Sequence, residues 1–409
     1  MRAIWGVADQ AVSSGTNFVA GIVLARSLGP AGYGSFAVTF TLWVFAMSIA
    51  RALLVQPFVV RVSANRTAWE ASTAKEMGAL VVIVGLLFGA GIAAVLAIFD
   101  FAPTIQSSLL VLAVGCWLLL LQDFWRYLAF ARLVPHQAFL NDCLWAVVQF
   151  GLIGLVVAFG DLTPAASVVT WVAGGAAGAF FGIFQFAVVP AASRDLWRSA
   201  KKILRLGRWL LLAELAFAAG SQGAILLLAG SQGRQPAGAY RAVMLLFAPL
   251  TVVTSGIATI ALPRVASYAH FDRKRLISTA THYSAVTGGI AGLYGFAWWA
   301  GAGKVLTRLF GSAFAGYSNL VAPLAITAAL AASCIGGEVA LKALQRGRTL
   351  TMVHSSSALV KLASAGVGLH IAKGEGLAWG IAGGTAFHTV LVWNVLRRVG
   401  SLDREHAKA

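Results

Sequence analysis

A chain of 409 residues that is 59% hydrophobic and only 11% charged cannot clothe a water-soluble core, because soluble domains carry roughly 25% charged residues. Its apolar runs reach the roughly 20 residues that a helix needs to cross a bilayer, and there the backbone must bond to itself, so each run is a helix. The net charge of +17 does not point to nucleic acid, because the basic residues sit in short segments between those runs, facing anionic lipid.

In chain order the predicted spans are 5–26, 35–59, 77–99, 108–131, 138–160, 165–189, 209–230, 238–262, 282–303, 318–343, 349–372 and 376–396. The pattern is all-α, with continuous apolar blocks and none of the short alternating strands of a barrel. The first span is too long for the core of a cleavable signal and is interrupted by Asp9, so it is expected to be retained. The expected organisation is an N-terminal six-helix bundle over 1–192, a linker helix over 193–208, a second six-helix bundle over 209–398 and a tail over 399–409. Gly160-Asp161 is nearly the whole separator between spans five and six. Small residues recur, as in Gly174-Gly175-Ala176-Ala177-Gly178, and let helices approach closely in lipid.

Orientation follows from Lys and Arg. Twenty-one of them fall in one set of segments, holding Arg2, Arg61, Arg66, Lys75, Arg132, the 194–208 and 264–275 stretches, Arg346, Arg348 and the tail. Five fall in the other set: Arg26, Arg234, Lys304, Arg308 and Lys373. The positive-inside rule places the first set, with both chain ends, in the cytoplasm. In the linker, Leu196, Trp197, Ala200, Ile203 and Leu204 share one helical face with basic residues opposite, the pattern of a helix in the membrane interface. Pro30-Ala31-Gly32 recurs as Pro236-Ala237-Gly238, and Pro57 recurs as Pro263, both at an offset of 206. That is half the chain, so a parallel repeat of two six-helix halves is expected, a transporter plan.

Ionisable groups inside apolar spans cost roughly 2.5–3.5 kcal/mol each on insertion scales, so each needs a reason. Asp9, Ser13, Thr16 and Asn17 follow helical spacing as one polar stripe, either a hydrated cavity wall or interhelical hydrogen bonding. Asp123 and Arg126 stand three apart and could neutralise each other, as could Glu338 and Lys342 four apart. Arg51 has no acid within a turn on its own helix; it either snorkels to headgroups or grips an anion such as a diphosphate. Lys361 lies mid-span, where snorkelling explains it least. Asp142 and Glu214 join Asp9 as candidates for ion coupling. Cys116, Cys143 and Cys334 lie in apolar segments without metal-ligand spacing, so no metal is expected. The seven histidines are scattered, and no phosphate loop, His-Glu-x-x-His or Cys/His cluster marks an enzyme.

The opening Asp9-Gln10, Ser13-Ser14-Gly15-Thr16-Asn17-Phe18, then Ala25-Arg26-Ser27-Leu28-Gly29-Pro30 and Tyr33-Gly34, resembles bacterial Wzx-like polysaccharide-biosynthesis flippases. These belong to the multidrug/oligosaccharidyl-lipid/polysaccharide exporter superfamily. Leu121-Gln122-Asp123-Phe124-Trp125-Arg126-Tyr127, with Pro135 and Asp142, resembles the same family's fourth and fifth helices. The resemblance implies alternating-access transport of undecaprenyl-diphosphate-linked oligosaccharide across the bacterial cytoplasmic membrane. It also implies two six-helix bundles around a polar cavity whose cationic side chains hold the diphosphate and sugar. On that basis Arg51, Asp123, Arg126, Lys361 and Asn17 are the candidate cavity residues. No cofactor is expected beyond coupling to protons or sodium. Partners are the lipid-linked oligosaccharide and anionic cytoplasmic-face lipid, with no nucleic acid, and the chain is expected to be a monomer. Two rivals stay open: a cation-coupled small-molecule or multidrug exporter of the same superfamily, and a membrane polysaccharide polymerase or ligase. A net-positive cavity would favour the diphosphate cargo, and an acidic or aromatic one organic cations.

Overall fold

A computed structural model describes residues 2–59, 71–193, 196–269 and 271–406. Several expectations lie outside the described residues: the loop of Arg61 and Arg66, Arg194 and Asp195, the side chains of Trp197 and Ile203, and the side chains of the tail from 399 on. The described residues form helices and no strand. The order is α1 (Arg2–Ala50), a π-helical turn (Arg51–Val55), α2 (Ala71–Ile98), α3 (Pro103–Ala131), α4 (Pro135–Phe159), α5 (Pro164–Phe186) and α6 (Leu196–Gln232). It continues with α7 (Arg234–Leu246), α8 (Ala248–Ala266), α9 (Arg273–Ala300), α10 (Ala302–Phe310), a 3₁₀ segment (Ser312–Leu320), α11 (Val321–Ala343) and α12 (Gly347–His406).

Helix starts and breaks follow local chemistry. Pro103, Pro135 and Pro164 open α3, α4 and α5, where a missing N–H costs no hydrogen bond. Thr163 caps α5 by accepting from the Ala166 N–H, and Asp272 caps α9 by accepting from the Arg275 N–H at 2.9 Å. Spans one and two form a single kinked element, because Gly29 at φ 64° precedes Pro30; the left-handed backbone there favours glycine. The last two spans join in α12 across a break at Ala372 and Lys373.

Among the described residues, eight helices are long and apolar enough to cross a membrane by length and composition. One of them, running through α1 to Val59, holds two predicted spans, and the more polar α9 and the two arms of α12 carry the other three. Large apolar side chains point outward, among them Phe159, Phe184, Val114, Leu293 and Ile371. A water-soluble surface would not present them so densely, whereas a lipid-facing one does. The chain is an all-α, multi-pass membrane protein.

Three expectations need correction. The linker is not a separate helix: Leu196–Gln232 is one continuous element that includes span seven. Span eight is broken at Phe247, which turns in a tight 3₁₀ step because Pro249 has no N–H to carry the helix on. The stretch left between the predicted spans 282–303 and 318–343 holds a short amphipathic helix, with Leu306 and Phe310 buried and Lys304 and Arg308 exposed.

By packing, the chain forms two units, Met1–Ala218 and Ala219–Ala409. In the first, α3 lies against α2 and α5, α4 against α5, and α1 against α3 and α4. Its core is the apolar face of α3, with Leu112, Cys116, Leu119, Phe124, Trp125 and Leu128 fully buried. The second is built on α11, which packs against α8, α9 and α12 around Val265, Leu276, Val339, Leu341 and Val392.

Candidate functional site

The N-terminal unit holds a cavity of about 250 Å³ between α1, α3, α4 and α5. Ser13, Thr16 and Asn17 of the predicted polar stripe line it, with Arg51, Asp123, Arg126 and Asp142. Asp9, one turn below Ser13, is fully buried beside it.

The charges pair across helices, not along them. Arg51 grips Asp123 in a two-pronged contact, Nε donating to Oδ2 at 2.9 Å and Nη2 to Oδ1 at 2.5 Å. Its guanidinium also lies 5.1 Å above the Tyr127 ring. Arg126 turns the other way: its Nε and Nη2 donate to Asp9 Oδ2 at 3.0 and 2.8 Å, and Nη2 also donates to Gln10 Oε1 at 3.2 Å. Asp142 Oδ2 stands 3.7 Å from the same guanidinium, and its Oδ1 accepts from Gln122 Nε2 at 2.9 Å. The expected Asp123–Arg126 pair is therefore wrong. Each residue has a partner on another helix, where two side chains can meet head-on in the fork geometry that neighbours on one helix cannot reach. Arg51 does not snorkel. It opens the π-turn, whose last bond runs from the Gln56 N–H to the Arg51 carbonyl, an irregularity typical of functional positions.

Three carboxylates, Asp9, Asp123 and Asp142, thus face two guanidinium groups. A mainly cationic space is not what the N-terminal unit contains, and both arginines are already engaged by protein carboxylates. Asp9 Oδ1 is buried with no hydrogen-bond donor among the described residues, while Asp142 has the Ser13 hydroxyl beside it as well as Gln122. Glu214 accepts from Gln56 Nε2 at 3.0 Å, on the Arg51 side. Asn17 donates to its own helix at the Ser13 carbonyl while lining the cavity.

Lys361 belongs elsewhere. It lies in the C-terminal unit, its backbone packed against Gly384 and its ammonium near Glu338 and Cys334. Lys342 acts on Glu338 only at longer range; the close partners of its Oε1 are His388 Nε2 at 3.1 Å and His354 Nε2 at 3.7 Å. That constellation was not legible as scattered histidines.

Sequence reasoning also missed the aromatic wall. Trp43, Trp145 and Trp171 line the cavity with Phe40, Gln122 and Gln149. Trp43 and Trp171 meet edge-to-face at 5.8 Å, and Trp145 donates to Gln149 Oε1 at 3.0 Å, a contact spaced one helical turn apart. The wall is seated by α5's glycines: a Cβ on Gly174 would lie 2.4 Å from Trp145, and one on Gly178 would lie 2.6 Å from Asn141 Oδ1. The Trp145–Gln149 spacing and the Gly174–Gly178 repeat are in the sequence; that they face each other is not.

In the comparisons, no individual curated protein matches the chain. Its fold is similar to that of an inward-facing multidrug resistance MATE family transporter of the MOP superfamily, at TM-score 0.73 and 14% identity over 98% of this chain and 99% of that one. It is also similar to a MOP superfamily transporter from Pyrococcus furiosus, described as having a binding pocket of reverse polarity, at TM-score 0.64 and 15% identity over 98% and 95% of the two chains. The Vibrio cholerae MATE transporter VcmN, solved as an aspartate-to-asparagine mutant, aligns at TM-score 0.63 and 15% identity over 97% and 94%. The model of the polysaccharide biosynthesis protein family matches residues 23–319, well over half the chain. The chain thus has the fold of the MOP transporters and belongs to the polysaccharide biosynthesis protein family.

Proposed function

We propose that this protein is a flippase that carries lipid-linked oligosaccharide across the bacterial cytoplasmic membrane by alternating access, for cell-surface polysaccharide synthesis. The observation that carries the reading is the N-terminal cavity, where tryptophan faces stand beside amides and hydroxyls in a unit whose exterior suits lipid. Sugar rings offer apolar C–H faces and a fringe of hydroxyls, and a pocket of that composition matches both. The family membership supports a polysaccharide precursor as cargo.

The role of the charges changes with the geometry. Since Asp123 holds Arg51 and Asp9 holds Arg126, this cavity suits the neutral sugar better than the diphosphate. Asp9 and Asp142 compete for Arg126, so a proton or sodium ion taken up by either acid would shift the balance, a route to coupling. A second reading, export of organic cations, is favoured by the third carboxylate and the aromatic wall. The basic segments would rest on anionic lipid, and transport needs no second copy.

Reconstituted vesicles decide between the two. Wild-type protein is expected to move a fluorescent lipid-linked oligosaccharide between leaflets, and Trp145→Ala to reduce the rate at least several-fold. Movement of organic cations with no movement of the lipid-linked sugar would overturn the flippase reading.

A further inference from the structure

The C-terminal unit contains a second cluster that the transport reading does not use. Cys334 and Glu338 stand one turn apart on α11. His388 approaches from the second arm of α12, and His354 and Ser357 from the first. The thiol sulfur, a Glu338 oxygen and a His388 nitrogen all lie within 4.8 Å of one another, with Cys334 and His388 buried.

From this juxtaposition we propose that Cys334, Glu338 and His388 bind a divalent transition metal ion of the zinc class. Ligands about 2.0–2.3 Å from a tetrahedral zinc lie roughly 3.3–3.8 Å from each other. The three donor atoms already lie within 4.8 Å of one another, with Glu338 Oε1 3.1 Å from His388 Nε2, so side-chain rotations alone bring the cluster to that geometry. His354, its Nε2 3.7 Å from Glu338 Oε1, lies at the edge of the set and would have to turn inward to supply a fourth ligand. A mixed nitrogen, oxygen and sulfur set is the set zinc accepts, and one that sodium or magnesium does not select.

Two features make the cluster a built one. His388 Nδ1 is held by the Ser357 hydroxyl at 2.9 Å, the outer contact that orients a ligating imidazole. Gly337, beside Glu338, lets the second arm of α12 close on α11; a Cβ there would lie 2.7 Å from Val392 Cγ1. On binding, the Cys334 thiol releases its proton to solvent and the thiolate forms the metal–sulfur bond. With the Glu338 carboxylate the two ligand charges balance the dication, and Lys361 is the neighbouring cation. The metal would tie α11 to both arms of α12 across the break at Ala372 and Lys373.

The test titrates cobalt, a spectroscopic stand-in for zinc, into the full-length protein in detergent micelles. Expected are one tightly held cobalt per chain, a thiolate-to-cobalt charge-transfer band, and displacement by zinc. Cys334→Ser should abolish the band, while Cys116→Ser and Cys143→Ser leave it unchanged. His388→Gln should weaken binding about tenfold or more, and Ser357→Ala should weaken it by a similar factor through ligand orientation. Absence of a thiolate band in the wild type, or its survival in Cys334→Ser, would overturn the assignment. Cys334→Ser changes one atom inside a helix, so this comparison decides the matter even where His388→Gln fails to fold.

Discussion

Arg51 has no acid within a turn on its own helix, yet Asp123 meets it from 72 positions away. The pair is largely out of water, with Asp123 at 9% and Arg51 at 24% side-chain exposure. Removing one partner of such a pair leaves an uncompensated charge, and fully buried examples cost about 3–5 kcal/mol. Asp123→Ala is expected to cost about 3 kcal/mol, the lower end because Arg51 keeps some exposure. Thermal unfolding of purified protein measures it, and a loss below what Asn17→Ala produces would refute the pairing. Arg126→Ala exposes a related dependence. It strips Asp9 and Asp142 of their shared cation, so stability as well as transport is expected to fall. The double variant Arg126→Ala with Asp9→Asn should recover part of the stability while transport stays low. Full transport in that double variant would dissociate the Arg126 cluster from cargo movement.

Among the elements, α5 shows most directly how small residues build the site. Its glycine face receives Trp145 and Leu119 at Gly174 and Gly175, Asn141 and Gln122 at Gly178, and Trp125 at Gly182. The last seat is the tightest, since a Cβ on Gly182 would lie 2.1 Å from Trp125 Cδ1. Trp125 is fully buried and donates to the Ala179 carbonyl at 2.9 Å, so it has nowhere to retreat. Gly182→Ala is therefore expected to destabilise by about 1–3 kcal/mol through overpacking. Gly154→Ala, on lipid-exposed α4 with nothing within 4 Å of the added carbon, is the neutral control. Equal unfolding temperatures for the two would contradict the packing described. The α1 kink is a different use of glycine: Gly29→Ala must hold an alanine at φ 64° and ψ 176°, a strain of about 1–3 kcal/mol.

For the whole molecule, orientation is set by charge. The stretch around Ser267 lies among the basic segments expected in the cytoplasm, and Ser312 lies in the opposite set. In a cysteine-free background, Ser267→Cys is expected to react with a membrane-impermeant thiol reagent only from the cytoplasmic side. Ser312→Cys should react only from the other side. The reverse pattern would invert the topology.

The sequence by itself determined the all-α membrane class and the candidate polar stripe from Asp9 to Asn17, both properties of a helix taken one at a time. Periodicity and apolar length are local, so they survive without knowledge of neighbours. It also picked out Arg51, Asp123, Arg126 and Asp142 as costly residues that needed partners. Which partner each one took was decided only when α1, α3 and α4 came together, because pairing is fixed by distances between helices and the sequence orders only residues within them. The same holds for the tryptophan wall on α5's glycines and for Glu338, drawn from Lys342 on its own helix to two histidines on α12. In a membrane, where burying a charge is expensive, such cross-helix contacts carry the specificity, and tertiary structure alone assigns them.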